Sequence, residues 1–324
     1  MIVPDFWAEA KRKEVINGSQ FTIKRFGWSN ESEEHAFKNA KERVDEAMLR
    51  ALNGEKVRKF DRKISYNGSE GLPIREEVIS RHGDVVITRN VYGSLCLNTP
   101  DVLFADIDLS AKPTTATWRI SLLIAFMAAV FLGFWYVSWP MFFASLLMSL
   151  LGTLVLAQIL QQLSFFLFGS PEKQFRKALK TYAANHQGAN LRLYKTPNGF
   201  RVLALHKLFD PNDEEVEEMF LSLKVDKIYF RMCRNQKCFR ARVSPKPWRM
   251  GFNRIGPGQG VWPVKKKVRQ ARNVWISSYE KASTKFASCV FDSAYGGNTI
   301  HPKAKLVLQL HDDFSQAESN HTIA

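Results

Sequence analysis

Residues 120–171 contain no Asp, Glu, Lys, Arg or His, and Leu, Phe, Ala, Met, Val, Ile and Trp fill most of the positions. An apolar helix needs about 20 residues to cross a hydrocarbon core roughly 30 Å thick, and this run is long enough for two crossings and a tight turn. The pattern predicts a transmembrane hairpin with helices over 118–137 and 141–168, divided by Trp135, Tyr136, Trp139 and Pro140. Aromatic rings favour the membrane interface, and a proline suits the first turn of a new helix. Lys112 and Arg119 precede the pair, and Lys173, Arg176, Lys177 and Lys180 follow it. By the positive-inside rule, both flanks and both termini then face the cytosol of a two-pass inner (plasma) membrane protein. Gln158, Gln161 and Gln162 offer amides to a neighbouring helix or to headgroups, and Ala144, Ser145, Ser149 and Gly152 offer small surfaces for close packing. No charge lies within the run, so nothing marks a transport pathway or proton relay.

Outside the run the periodicities are those of a mixed α/β chain. Residues 20–26 alternate as a strand, and 32–52 carry helical spacing through Ala36, Ala40, Val44, Met48 and Leu52. Residues 53–71 read as a polar, basic loop closed by Asn67-Gly68 and Gly71-Leu72-Pro73. Short β-rich runs follow at 84–89 and 101–109. After the apolar stretch, Ser170-Pro171-Glu172 opens a helix that closes near Gly188. Strands at 190–194 and 200–206 flank the turn Lys195 to Gly199 and predict a hairpin. A helix from Asp210 to about Leu223, a strand over 227–232 and helices over 273–295 and 302–314 complete the reading.

These elements predict an α+β (mixed α/β) cytosolic domain split by the inserted transmembrane helical hairpin. Residues 1–70 form an N-terminal strand–helix appendage and basic loop, 71–116 the first part of the domain, 117–169 the hairpin and 170–324 the second part. The first part alone has too few strands to close a core, which favours one split domain over two separate ones.

Charge sharpens the choice of partners. Lys and Arg number 46 against 31 Asp and Glu, a net charge of +15, so the chain attracts nucleic acid, nucleotide phosphates or anionic lipid headgroups. The excess concentrates in 224–269, where fourteen Lys and Arg residues from Lys224 to Arg269 meet the single acid Asp226. Tyr229, Phe230, Phe239, Trp248, Phe252 and Trp262 are interleaved. Cations neutralise phosphates and aromatic faces stack on exposed bases, so Arg231, Arg240, Arg242, Lys246, Trp248 and Arg249 are candidate nucleic-acid or phosphate ligands. An anionic bilayer surface would attract the same side chains at about 1 kcal/mol each. The blandest reading makes the aromatics core residues and the charges a solvated face.

Four scattered cysteines do not form a disulfide framework and suit a reducing compartment. Cys233 and Cys238 supply half of a zinc site without a nearby second pair. Residues 251–263, with Gly256-Pro-Gly-Gln-Gly260, read as a flexible loop able to close over a ligand. The sharpest chemical feature is Phe104-Ala-Asp106-Ile-Asp108, two carboxylates at the end of an apolar strand. Alternation puts both on one face, where they are candidate ligands for Mg²⁺ or Mn²⁺ of a metal-bound nucleotide. Arg201 is a candidate phosphate ligand, or equally a partner for Asp106 or Asp108 that would make the carboxylates structural. His206 is a second candidate on the same stretch, against the plainer reading of a histidine satisfied by a backbone group.

LFADID, ending at Asp106 and Asp108, and KTPNGFRVLALH, from Lys195 to His206, together resemble the palm of the archaeo-eukaryotic primase and primase-polymerase superfamily. There an apolar strand ending in D-x-D is followed by a small-residue turn and a strand bearing a histidine. The resemblance implies a metal-dependent nucleotidyltransferase or a degenerate relative of one. It covers two short motifs, and the departures are specific: Arg201 and Val202 occupy the place of the family's histidine, and only Asp226, by order, stands for a third acid. The chain as a whole also resembles an uncharacterised bacterial two-helix inner-membrane protein family, which implies a location and no activity.

Overall fold

The computed structural model describes residues 1–16, 18–61, 73–109, 113–136 and 139–324. In chain order the elements are β1 (Phe6–Ile16), β2 (Ser19–Ser29), α1 (Glu33–Leu52), β3 (Glu77–His82), β4 (Val85–Arg89), β5 (Leu95–Thr99) and β6 (Phe104–Asp108). Next come α2 (Thr115–Tyr136), α3 (Trp139–Phe168), α4 (Pro171–Asn185), β7 (Asn190–Thr196), β8 (Gly199–Ala204), α5 (Glu214–Ser222) and α6 (Lys227–Gln236). The last are β9 (Phe239–Arg242), α7 (Lys266–Ser283), β10 (Phe286–Ala287), β11 (Val290–Gly296), α8 (Pro302–Ser315) and β12 (Thr322–Ile323). The chain is therefore mixed α/β, and it divides into two compact units. One comprises Met1–Ile107 with Tyr182–Ala324, the other Asp108–Thr181.

The first unit holds two four-stranded sheets, ordered β3-β4-β5-β9 and β11-β7-β8-β6. Each contains strands from both sides of the long apolar run: β5 pairs antiparallel with β9 through Cys96↔Arg242 to Thr99↔Phe239, and β6 borders β8. The β7–β8 hairpin closes at Thr196↔Gly199, at the turn that Pro197-Asn198-Gly199 signals. Val85, Val86 and Ile87 on β4, Leu97 on β5, Phe104 and Ala105 on β6, and Leu191, Leu193, Val202 and Leu203 on the hairpin are all buried.

β1 and β2 form an eleven-residue antiparallel ribbon from Phe6↔Ser29 to Ile16↔Ser19, packed on α1. The Ser32 hydroxyl caps α1 by accepting from the His35 amide (3.1 Å), and Glu33 and Glu34 suit the positive end of the helix dipole. The helix buries Ala36, Ala40, Val44, Ala47, Met48 and Ala51. It lies so close to the ribbon that a Cβ at Gly27 would collide with the backbone of Ala36 and Ala40. Gly27→Ala is therefore expected to lower stability by about 1–3 kcal/mol, read as a shift of the urea unfolding midpoint.

In the second unit α2 and α3 pack against each other. The Thr117 hydroxyl donates to Gln161 Oε1 (3.2 Å) near one end of the pair, and the Ser145 hydroxyl reaches the Ala129 carbonyl (3.4 Å) further along. Two stretches, Thr115–Trp135 and Leu151–Asn185, are long and apolar enough to cross a membrane. Their large apolar side chains point outward, with Phe134 85% and Phe166 86% exposed. The close approach falls at Gly133, against the ring of Phe142, while a Cβ at Gly152 would meet nothing within 4 Å among the described residues.

Three expectations need correction. Residues 227–232 are the start of α6 and not a strand, because Tyr229, Met232 and Cys233 fall at helical spacing and turn inward together. The tail helix expected over 273–295 is α7, which starts at Lys266 and stops at Ser283, and the alternating residues beyond it form β11. β1, β3, β5, β9, β10 and β12 have no counterpart in the sequence reading; among the described side chains of β1 only Trp7 and Ala10 are buried, with Glu9, Lys11 and Lys13 exposed. The loop over 251–263 is held rather than loose: Gln259 accepts from Arg272 (3.0 Å), Asn253 from the Trp275 indole (3.1 Å), and Gly260 lies against the Val91 carbonyl. The anticipated turns at Asn67-Gly68 and Gly71-Leu72 lie outside the described residues.

Candidate functional site

Asp106 and Asp108 share a face of β6, with Ile107 turned into the core between them. Arg201, next door on β8, forms a two-pronged ion pair with Asp106: Nε donates to Oδ1 at 2.7 Å and Nη2 to Oδ2 at 3.3 Å. The guanidinium is 3% exposed and also donates to the Arg242 carbonyl (2.9 Å). Burial by itself would lower its pKa, but the Asp106 carboxylate, helped by Cys289, more than reverses this and holds the cation firmly charged. Of the two carboxylates, Asp106 is the one that Arg201 pairs with. Asp108 sits exposed at the strand's last position. Asp226 comes close through its backbone, whose amide donates to the Asp106 carbonyl (3.4 Å), while its side chain caps α6 at the Ile228 amide (3.0 Å). Among the described residues no cluster of three or more His, Cys, Asp or Glu is placed to hold a metal ion.

His206 is not brought to this pair. Its Nδ1 accepts from the Asn190 amide (3.2 Å), and its ring meets Phe209 edge-on. Burial lowers its pKa, partly opposed by that backbone contact, so the neutral ring is favoured. Cys233 and Cys238 are both buried, burial pushing Cys233 well up and Cys238 to about 12, and among the described residues no third ligand joins them.

The basic segment separates into two populations. Arg240 is 7% exposed and paired with Glu76, so it belongs to the interior and not to a binding surface. Arg242 is half-buried, with its Nε enclosed. Tyr229 and Phe239 are core residues, as the plainest reading of the aromatics had it. In contrast, Arg231, Arg254, Lys265, Lys266, Lys267 and Arg269 are exposed, and Lys246 and Arg249 are half-buried.

Trp248, on a single 3₁₀ turn (Pro247–Arg249), is the centre of the exposed group. Lys246 Nζ lies 5.4 Å and the Arg254 guanidinium 4.9 Å from its ring, and Tyr92 meets it edge-on at 5.2 Å. Behind it Phe252, Trp275 and Tyr279 pack ring to ring. Arg272, which sits over Trp262 at 5.5 Å, is committed to Glu77. The N-terminus of α7 opens on Lys265, Lys266 and Lys267 with no acid in its first turn. Cations at that end oppose the helix dipole, an arrangement that an anionic ligand would relieve.

Sequence reasoning missed the other polar centre of the first unit, Cys289 with His311 and Asp312. Its members come from separate elements with no fixed spacing, and the only local signal was the His311-Asp312-Asp313 triplet. No protein-family model, no characterised protein and no solved structure matches this chain.

Proposed function

We propose that this is a two-pass inner-membrane protein, both termini cytosolic, whose α/β unit uses a basic, aromatic-bearing surface to bind the phosphates of nucleic acid or of anionic lipid headgroups. The apolar helices supply the anchor, inserted between two stretches of chain that build one cytosolic unit. What carries the reading is the grouping of half-buried Lys246 with exposed Trp248 and Arg254, together with the acid-free lysine run that opens α7. Cations held over an indole are pre-positioned at low entropic cost, and exposed lysines at a helix N-terminus favour phosphate.

A second reading, a primase-polymerase-like nucleotidyltransferase or a degenerate relative, is favoured by one observation: its two motifs fall on the neighbouring strands β6 and β8. It requires Asp106 to exchange Arg201 for Mg²⁺ or Mn²⁺, so the binding module is preferred.

Full-length protein in nanodiscs should bind a labelled single-stranded oligonucleotide with an affinity that falls linearly in log–log form as salt rises. Changing Lys265, Lys266 and Lys267 to Ala removes up to three phosphate contacts and should reduce the slope by about 2. Loss of vesicle binding without any effect on oligonucleotide binding would assign the surface to lipid. Affinity for neither, or binding indifferent to salt, would end the proposal.

A further inference from the structure

Cys289 lies between β10 and β11 with no exposed surface, and its Sγ is 3.7 Å from His311 Nε2 on α8. The other ring nitrogen, Nδ1, is 2.8 Å from Asp312 Oδ1. His311 is itself fully enclosed, with Phe104 at 5.3 Å and Tyr194 edge-on at 4.6 Å. Thiol, imidazole and carboxylate are thus in sequence: the carboxylate fixes Nδ1–H, and Nε2 faces the sulfur as a base. Arg201 Nη1 stands 3.3 Å from the same Nε2, and the Tyr194 hydroxyl is buried beside the group with no hydrogen-bond partner among the described residues.

We propose that Cys289 is a reactive thiol that hydrogen peroxide or a small organic hydroperoxide oxidises to a sulfenic acid, with His311, held by Asp312, moving the proton. His311 takes the thiol proton, and the sulfur attacks the outer peroxide oxygen. The S–O bond forms as the O–O bond breaks, and the leaving hydroxide or alkoxide takes the proton back from His311. Sulfur loses two electrons and the peroxide gains them, so Cys–SH and ROOH give Cys–SOH and ROH.

The charges around the sulfur suit this step. Around the thiol and the imidazole stand His311, Asp312 and Ser315 from α8, Arg201 from β8 with its partner Asp106 from β6, and from β7 Tyr194 and Arg192, the latter paired with Asp312. Burial alone would raise the thiol's pKa, but His311, then Arg201, reverse it and bring Cys289 below the ordinary thiol range. His311 moves the other way: burial would lower it, and Cys289 and Asp312 raise it. Arg201 touches the His311 ring on one side and holds Asp106 on the other, and the Asp106 side chain is 35% exposed.

Cys96, Cys233 and Cys238 are buried to the same degree and serve as internal controls. Detergent-solubilised full-length protein would be titrated with hydrogen peroxide between pH 6 and pH 9, quenched, and each cysteine's oxidation followed by mass spectrometry. Cys289 should react at least about tenfold faster than the other three, with its half-maximal rate at lower pH, and the four should converge in urea. Equal native rates would overturn the proposal without any variant. Asp312→Asn should slow Cys289 alone by about tenfold or more, and an unchanged rate in that folded variant would rule out the relay.

Discussion

Asp106→Asn is expected to destabilise the protein by about 3 kcal/mol. That is the lower end of the cost of removing one member of a buried ion pair, since Asp106 keeps part of its surface in water. The variant leaves a guanidinium at 3% exposure without its carboxylate, and neither the Arg242 carbonyl nor His311 supplies a negative charge. Adding Arg201→Met should restore much of the loss, because a well-packed apolar side chain often replaces a buried pair at little cost. Urea unfolding followed by tryptophan fluorescence measures both. The same variants separate the structural role from a catalytic one. A metal-binding Asp106 would lose metal-dependent nucleotide binding while leaving stability nearly untouched, and Arg201→Met would not compensate.

The second large effect concerns the apolar helices. Met127 on α2 and Leu154 on α3 are 59% and 58% exposed, so arginine at either position would be close to neutral in water. Within a bilayer each arginine near the helix centre costs about 2.5–3.5 kcal/mol on insertion scales. Met127→Arg with Leu154→Arg should therefore shift the protein from the carbonate-resistant membrane fraction into aggregates or the soluble fraction. Retention of normal solubility and fractionation by the parent chain without any membrane or detergent would remove the anchor from the proposed function.

How much of this was legible depended on whether the signal was local. The charge-free run, the helical spacing over 32–52 and the Pro197-Asn198-Gly199 turn depend on neighbours in sequence, and α2, α3, α1 and the β7–β8 hairpin stand where those signals put them. α6 misled because Ile228, Tyr229 and Phe230 are strong strand formers, while the Asp226 cap and packing of Tyr229 against Phe220 and the backbone of Phe104 favour helix. Arg240 looked like its basic neighbours; Glu76, far away in sequence, makes it an interior residue. The D-x-D pair was visible and its neutralisation by Arg201 was one of two open readings, whereas the Cys289–His311 contact joins a strand connection to a helix and left no spacing to read.

The two sheets also constrain the order in which the protein can be made. β5 has β4 on one side and needs β9 on the other, and β6 has β8 as its neighbour, yet α2 and α3 are synthesised in between. At about 5–20 residues per second the ribosome needs on the order of ten seconds to travel from β5 to β9. During that interval two strand edges wait while the most apolar part of the nascent chain leaves the tunnel. For a chain anchored as proposed, biogenesis is a race between capture of the helices and adhesion of the open edges, and a delay in the first exposes the second to aggregation and proteolysis.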